Sequence, residues 1–325
     1  MKIKNTWLRP VCDICILFLL SLIPLLWFPK GYMITSQDAA YPINIVENFK
    51  SRLFTWNGQE PFGRDYSFDM GSITIHGVEA GFRLLGLSVF DAQKATFIFW
   101  FFLMGVSMYY FAYSFRKHFS YRYFPLLAAV LYSVNFFLLA LWRQGAGTTF
   151  SAYTALPFIA SFYIRCITGE MSVTWAGLCM AVTLFLFSAG GGLSLPLFGG
   201  LLVILSVATL YFPIVQSSEG TVRSVITRIL GVAAWSFVLS LVLNAYWILP
   251  FMSFAFINYH SSVATQVVLS GAKAWLDSVS GYTSMINLSR LQGFPDWYNN
   301  VHHSYAAAFL QNPVLIFISF LFPDD

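Results

Sequence analysis

The feature that most limits this chain is the repeated occurrence of long, nearly uncharged apolar runs. A bilayer core of about 30 Å is crossed by a helix of roughly 20 apolar residues, because only a helix satisfies its own backbone where water is absent. Runs of that kind recur along the 325 residues, of which 58% are hydrophobic and only 10% charged. A soluble domain carries about 25% charged residues. The expected fold class is therefore an all-α integral membrane protein, one polytopic domain over residues 1–325. The net charge of +4 is scattered through short connections. It carries no basic patch for a nucleic acid; the expected partner is the lipid bilayer.

The expected spans are 11–28, 92–115, 123–142, 149–167, 173–188, 193–215 and 229–251. A last apolar run at 313–322 is too short to cross and reads as part of an eighth span, cut by the end of the chain at Asp325. The basic start before the first span also fits a signal peptide. However, the run is long, contains Pro24 and lacks a small-residue cleavage site, so a retained anchor is expected. Lys and Arg collect on the cytoplasmic side of membrane proteins. With the N-terminus inside, the inner segments hold Lys2, Lys4, Arg9, Arg116, Lys117, Arg122, Arg165, Arg223 and Arg228; the short outer loops hold Arg143. This orientation places the two long loops, 30–91 and 252–312, on the outer face, with a bacterial or archaeal plasma membrane as the expected location.

The first long loop is an acidic island. Of fourteen acidic residues, it holds seven: Asp38, Glu47, Glu60, Asp65, Asp69, Glu79 and Asp91. Two stretches in it have helical apolar periodicity. Residues 42–54 place Ile43, Val46, Phe49, Lys50 and Leu53 on one face, and residues 73–87 do the same with Ile75, Val78, Phe82 and Leu85. Between them lies a turn-rich segment with Asn57-Gly58, Pro61, Gly63 and Gly71. Two amphipathic helices lying at the membrane surface are expected to make this loop a cap.

Asp38, ten residues after the first span, is the leading catalytic candidate. A carboxylate shielded at the membrane edge can act as a general base; the plainer reading is a helix cap or a solvated acid. Asp65, Asp69 and Glu79 rank second, as acids more at home in solvent than in catalysis. The spacing of Asp65 and Asp69 would admit a hard divalent cation, and His76 with Glu79 shares one helical face, yet neither pair makes a metal site by itself. Arg64 stands beside Asp65. Arg143 and Gln144, in a short outer loop rich in small residues, suit a phosphate at the membrane surface, or else a span anchor. Asn244, inside an apolar span, reads as interhelical glue or site lining. The second loop mixes Trp275, Asp277, Trp297, Tyr298, His302 and His303, a composition suited equally to sugar rings and to a membrane interface. Cys12, Cys15, Cys166 and Cys179 all lie in or beside apolar runs, so neither a disulfide nor a zinc site is expected.

The segment S-Q-D-A-A-Y-P-I-N-I-V-E-N-F-K-S-R-L-F-T-W-N-G, from Ser36 to Gly58, and the segment N-A-Y-W-I-L-P, from Asn244 to Pro250, carry a family likeness. With the span layout, they resemble the GT-C superfamily of polytopic glycosyltransferases, in particular its arabinofuranosyltransferase-like and oligosaccharyltransferase-like members. The resemblance covers residues 10–250. It implies a polyprenyl-phosphate-linked sugar as donor, a glycan or protein hydroxyl as acceptor, and reaction on the outer membrane face. Asp38 matches the first-loop acid of that family and would deprotonate or position the acceptor hydroxyl. Arg143, by its chemistry and depth and not by motif match, is expected to neutralise the donor phosphate, and Gln144, Tyr41, Asn244 and Arg64 are the other expected donor-binding residues. The chain departs from metal-dependent members at 142–148, where their second acidic motif is missing. No cofactor is assigned, and a divalent cation is left open. The competing functions are a transporter or flippase of a lipid-linked solute and a non-catalytic membrane scaffold. The near absence of mid-span charge speaks against passage through the protein.

Overall fold

The computed structural model describes residues 8–29, 31–35, 41–58, 63–116, 121–135, 138, 141–142, 147–187, 205, 222–259 and 273. The architecture is mostly helical. Among the described residues, four helical segments are long and apolar enough to cross a membrane: Pro10–Trp27, Val89–Tyr113, Thr149–Ile167 and Arg223–Phe254.

The first of these is α1, Leu8–Leu20, prolonged by a 3-10 turn at Ile23–Trp27. Pro24 explains the change of geometry, because it has no N–H to continue the α-helical ladder. The ladder closes with the Ser21 N–H on the Leu17 carbonyl at 2.9 Å, and the Leu25 N–H then reaches back only three residues, to Leu22, at 2.9 Å.

The first-loop cap contains two helices, both shorter than their periodicity suggests. The first, α2, is confined to Ile45–Ser51 and starts at Asn44, whose side chain accepts from the Glu47 N–H. A two-residue antiparallel ladder pairs Trp56–Asn57 with Arg64–Asp65, too small to alter the helical class. A 3-10 segment, Ser67–Ser72, feeds α3, Ile73–Leu84. Gly86, at φ 91°, ends that helix: its N–H and that of Leu87 bond back to Arg83 and Phe82, a left-handed cap that glycine adopts without strain.

The buried faces of both cap helices agree with the expected ones only in part: Phe49, Ile75 and Phe82 pack into core clusters. Ile43 and Leu53 are exposed, and Ile45 is the buried residue of α2. In α3 Leu85 is exposed, whereas Ile75, Glu79 and Ala80 are buried. The expected face of α3 holds at Ile75 and Phe82, which join the core, and Glu79, set outward by polarity alone, lies on that face.

Ser88 starts α4, Val89–Ser114, by accepting from the Asp91 N–H at 3.1 Å. At 1.5 Å per residue a helix of this length spans about 39 Å, enough to cross a bilayer. It is the hub of the fold, packing against α1, the Ile23–Trp27 turn, α3, α5 and α6. Here α5 is Phe124–Ser133 and α6 is Gly147–Ile167. An aromatic core joins them: Trp142 stacks on Phe101 with centroids 5.6 Å apart, and touches Phe150 at 3.9 Å.

Two further helices complete the described fold: α7, Val173–Phe187, and α8, Val222–Tyr259. They approach closely at Gly177, where a Cβ would lie 2.8 Å from the Trp235 Cβ. The far end of α8 is not free of the cap, since the helix also packs against the Ser67–Ser72 segment.

Two span expectations are corrected. The helix expected at 123–142 is interrupted after Ser133, because Asn135 donates to the Tyr132 carbonyl at 2.7 Å and accepts from the Leu138 N–H at 3.0 Å. A side chain that competes for backbone partners in this way breaks a helix. The run expected at 173–188 is helical over Val173–Phe187, where the described residues end. The run at 229–251 belongs to a helix of 38 residues that continues through Pro250, so the second long loop cannot begin at residue 252. Proline is tolerated in apolar helices whose neighbours or local geometry satisfy the freed carbonyl. Apart from Leu205, the span at 193–215 lies outside the described residues, as do the run at 313–322 and, Lys273 excepted, the loop at 260–312.

Candidate functional site

The cap meets the helical core at a small, partly open pocket. Four parts of the chain line it: Ile34 and Tyr41 from the first loop, Glu79 from α3, Gln93, Thr96, Phe97 and Trp100 from α4, and Gly147 and Phe150 from α6. The α4 contribution is a single stripe, at i, i+3, i+4 and i+7, the spacing that places side chains on one helical face. Gly147 lets α6 begin close to α3, since a Cβ there would lie 3.4 Å from Ile75.

Gln93 fastens the first loop to α4. Its Oε1 accepts from the Ile34 N–H at 2.9 Å and its Nε2 donates to the Ile34 carbonyl at 2.6 Å. Both amide groups are thereby occupied. Thr96 donates its hydroxyl proton to the Ala92 carbonyl at 2.9 Å, which leaves its oxygen able to accept.

Glu79 is the ionisable residue of the pocket wall. It is 7% exposed, and its Oε2 lies 3.1 Å from the His76 Nδ1. A carboxylate is the stronger acceptor, so the His76 Nδ1–H donates to it, which fixes the tautomer. The Asn48 amide approaches the same ring nitrogen at 3.4 Å. Arg52, the C-cap of α2, completes a polar seam behind this pair: its guanidinium reaches Asn48 Oδ1 and Ser72 Oγ, each at 3.4 Å, and lies over the Tyr66 ring. Burial lowers the Arg52 pKa, while the nearby Tyr66 and Glu79 raise it. Burial pushes the Tyr41 phenol up, the Glu79 charge pushes it further, and the neighbouring Thr96 hydroxyl pulls the other way. Tyr41 therefore stays a neutral O–H. The Tyr41 hydroxyl is buried beside the Thr96 hydroxyl, whose oxygen can accept its proton.

Of the site residues expected from sequence, Tyr41 and Glu79 are brought together at this pocket. Glu79 corrects its expectation: it is a buried, paired carboxylate rather than a solvated one. Asp65 serves the backbone, accepting from the Ser67 N–H at 2.8 Å to start the 3-10 segment. Arg64 and Asp69 contribute backbone to the ladder and the 3-10 segment. Asn244 is buried, but its polar atoms serve its own helix, accepting from the Trp247 indole and donating to the Ser240 carbonyl, each at 2.9 Å. It is absent from the described lining of the pocket. Asp38, Arg143 and Gln144 lie outside the described residues. In the sequence, Asp38 precedes the lining residue Tyr41 by three positions, and Arg143 precedes the lining residue Gly147 by four. Among the described residues no group of three His, Cys, Asp or Glu side chains gathers to hold a metal ion.

Sequence reasoning overlooked Gln93, Thr96 and Trp100. The signal was present: two polar residues one turn apart near the start of an otherwise apolar span, with an aromatic residue one further turn along. No protein-family model, curated protein or solved structure matches the chain.

Proposed function

We propose that the chain is a membrane glycosyltransferase of the GT-C kind, moving a sugar from a polyprenyl-phosphate donor to a hydroxyl acceptor at the outer membrane face. The observation that carries this reading is the pocket between the first-loop cap and α4. It combines a buried carboxylate, hydroxyl groups and aromatic walls, and it opens where the cap joins the apolar helices. Concave sites with apolar walls and a few convergent polar groups are the usual form of a small-ligand site.

In this reading the seven to eight expected spans hold the N-terminus inside and the cap outside. Asp38 takes the proton of the acceptor hydroxyl. The freed oxygen attacks the anomeric carbon, the bond from that carbon to the phosphate oxygen breaks, and the polyprenyl phosphate leaves with its negative charge held by Arg143 and Gln144. Tyr41 stands on the pocket side of the same loop, and Arg64 remains an outer donor-binding candidate. Glu79 is the one carboxylate that the described residues bring to the pocket, and its Oε2 already accepts from His76.

The test is transfer of a radiolabelled sugar from polyprenyl-phosphate donors by the purified protein and by its Asp38→Asn variant. The variant should keep the fold and lose transfer by about a hundredfold or more, the usual contribution of a general base. Transfer at the wild-type rate by the folded variant would remove Asp38 from the mechanism.

A further inference from the structure

The cap carries an apolar tip. After α2 the chain turns through Leu53, Phe54 and Trp56, all exposed, Phe54 by 65% and Trp56 by 60%. The tip is fastened from behind. The Tyr66 N–H donates to the Thr55 carbonyl at 2.7 Å, and Trp56 pairs with Asp65 in the two-residue ladder. Gly63, at φ 72°, lies so close to the Trp56 indole that a Cβ there would enter the ring. Large apolar side chains displayed together by a fixed turn mark a contact surface.

The height of the tip follows from α3. Ile75, near the start of that helix, meets the first residue of α6, Gly147, and shares the aromatic core with Phe187 of α7. At 1.5 Å per residue, Thr149–Ile167 rises about 28 Å to this level and Val173–Phe187 about 22 Å. The start of α3 thus stands at the rim of a hydrocarbon core of about 30 Å. The two cap helices run antiparallel, with Asn48 beside His76 and Arg52 beside Ser72, so the tip that follows α2 lies at this same end of α3. The neighbouring Ser67–Ser72 segment packs on α8, whose apolar window is 11% buried and displays Leu249, Met252 and Phe256. The exposed apolar side chains of the tip continue that lipid-facing surface.

We propose that the tip is a membrane anchor: Leu53, Phe54 and Trp56 enter the interfacial layer of the bilayer and seat the cap on it. An indole among apolar side chains at headgroup level is the usual form of such a contact. The partner is lipid in general and not anionic lipid, because the nearby Lys50 ammonium is already paired with Glu47 at 2.8 Å. The anchor does not depend on the transferase reading and can fail without it.

The experiment uses the full chain, labelled with fluorotryptophan, in nanodiscs of phosphatidylcholine. Fluorine NMR reads the indoles, and Trp56→Phe assigns the Trp56 signal by its disappearance. Two paramagnetic agents are compared: a phosphatidylcholine with a nitroxide high on its acyl chain, and a water-soluble gadolinium chelate. The Trp56 signal should be lost to the nitroxide lipid and survive the chelate. Leu53→Asp combined with Phe54→Asp should expel the tip, since carboxylates are costly in lipid, and the Trp56 signal should then be lost to the chelate. Both side chains are exposed, so the unfolding midpoint in detergent should stay level. If the double variant does not fold, Phe54→Ser takes its place. Loss of the wild-type signal to the chelate would show the tip in water. Survival against both agents would show it covered by protein, from this chain or a second copy. Either result overturns the anchor, as would continued protection from the chelate in the folded double variant.

Discussion

Two long apolar helices, α4 and α8, treat their polar residues in opposite ways. Half of the apolar window of α4 is buried inside the protein, against 11% for α8. On α4 the polar side chains Gln93 and Thr96 turn toward the pocket, and Gln93 binds another part of the chain. On α8 the buried Asn244 is satisfied one turn away in either direction, by Ser240 and Trp247. A polar residue in an apolar helix is therefore not by itself a sign of a site. It becomes one when its partners come from elsewhere in the fold, because the arrangement then fixes two segments relative to each other.

The widest separation between the two helices should appear in tryptophan truncation. Trp142 is 1% exposed, packed between Phe101 of α4 and Phe150 of α6, whereas Trp235 on α8 is 46% exposed. Trp142→Ala should cost about 3–5 kcal/mol, as large aromatic deletions in cores do. Trp235→Ala keeps the Cβ that touches Gly177 and exchanges the ring for lipid, which is as apolar as a leucine side chain, so about 1 kcal/mol or less is expected. Denaturant unfolding of both variants in detergent checks this. Equal losses would show that α8 is covered by protein along its outer face.

The same contrast at smaller scale compares Gln93→Leu with Asn244→Leu. The first strands both the N–H and the carbonyl of Ile34, for a loss of roughly 2–4 kcal/mol and a loosened first loop. The second strands the Trp247 indole alone, since the Ser240 carbonyl keeps its helical bond, and should cost about 1 kcal/mol. Limited proteolysis between Gly31 and Tyr41 would reveal the loosening in Gln93→Leu and none in Asn244→Leu. Smaller again is Ser88→Ala, which removes the cap that starts α4 and should cost about 1 kcal/mol in the unfolding midpoint.

These contrasts also mark how far the sequence could be read. The crossings at α1, α4 and α6 follow from apolar length alone, and the start of α4 from Ser88. The break at Asn135 was hidden because a side chain capturing backbone partners has the same composition as an uninterrupted span. The passage of α8 through Pro250 was hidden because proline usually marks an end, and only packing can override it. The burial of Glu79 on α3 was missed because periodicity sorts residues by polarity, while Glu79 is buried in a pair with His76. Tyr41 was legible as part of a motif. Its neighbours Gln93, Thr96 and Trp100 follow it by more than fifty residues, and no local pattern links the two segments.

The smallest effect at neutral pH, and the most selective, concerns Tyr41. Its phenol is raised above the ordinary value of 10.0, by burial first and by Glu79 second. In the unfolded chain the phenol releases its proton near pH 10, whereas in the folded protein it holds the proton to higher pH. The folded state therefore binds more protons above the ordinary value, and stability falls as pH rises past it. Below that value the group contributes no slope. Tyr41→Phe should leave the unfolding midpoint unchanged at pH 7 and flatten the alkaline decline above about pH 10. Glu79→Gln removes the second cause and should flatten it in part. The reference on α8 is Tyr246, whose hydroxyl is also buried, on a helix with little burial. If Tyr246→Phe flattened the alkaline decline as much as Tyr41→Phe, the decline would belong to buried phenols in general, and the pairing of Tyr41 with Glu79 across the pocket would carry no weight in it.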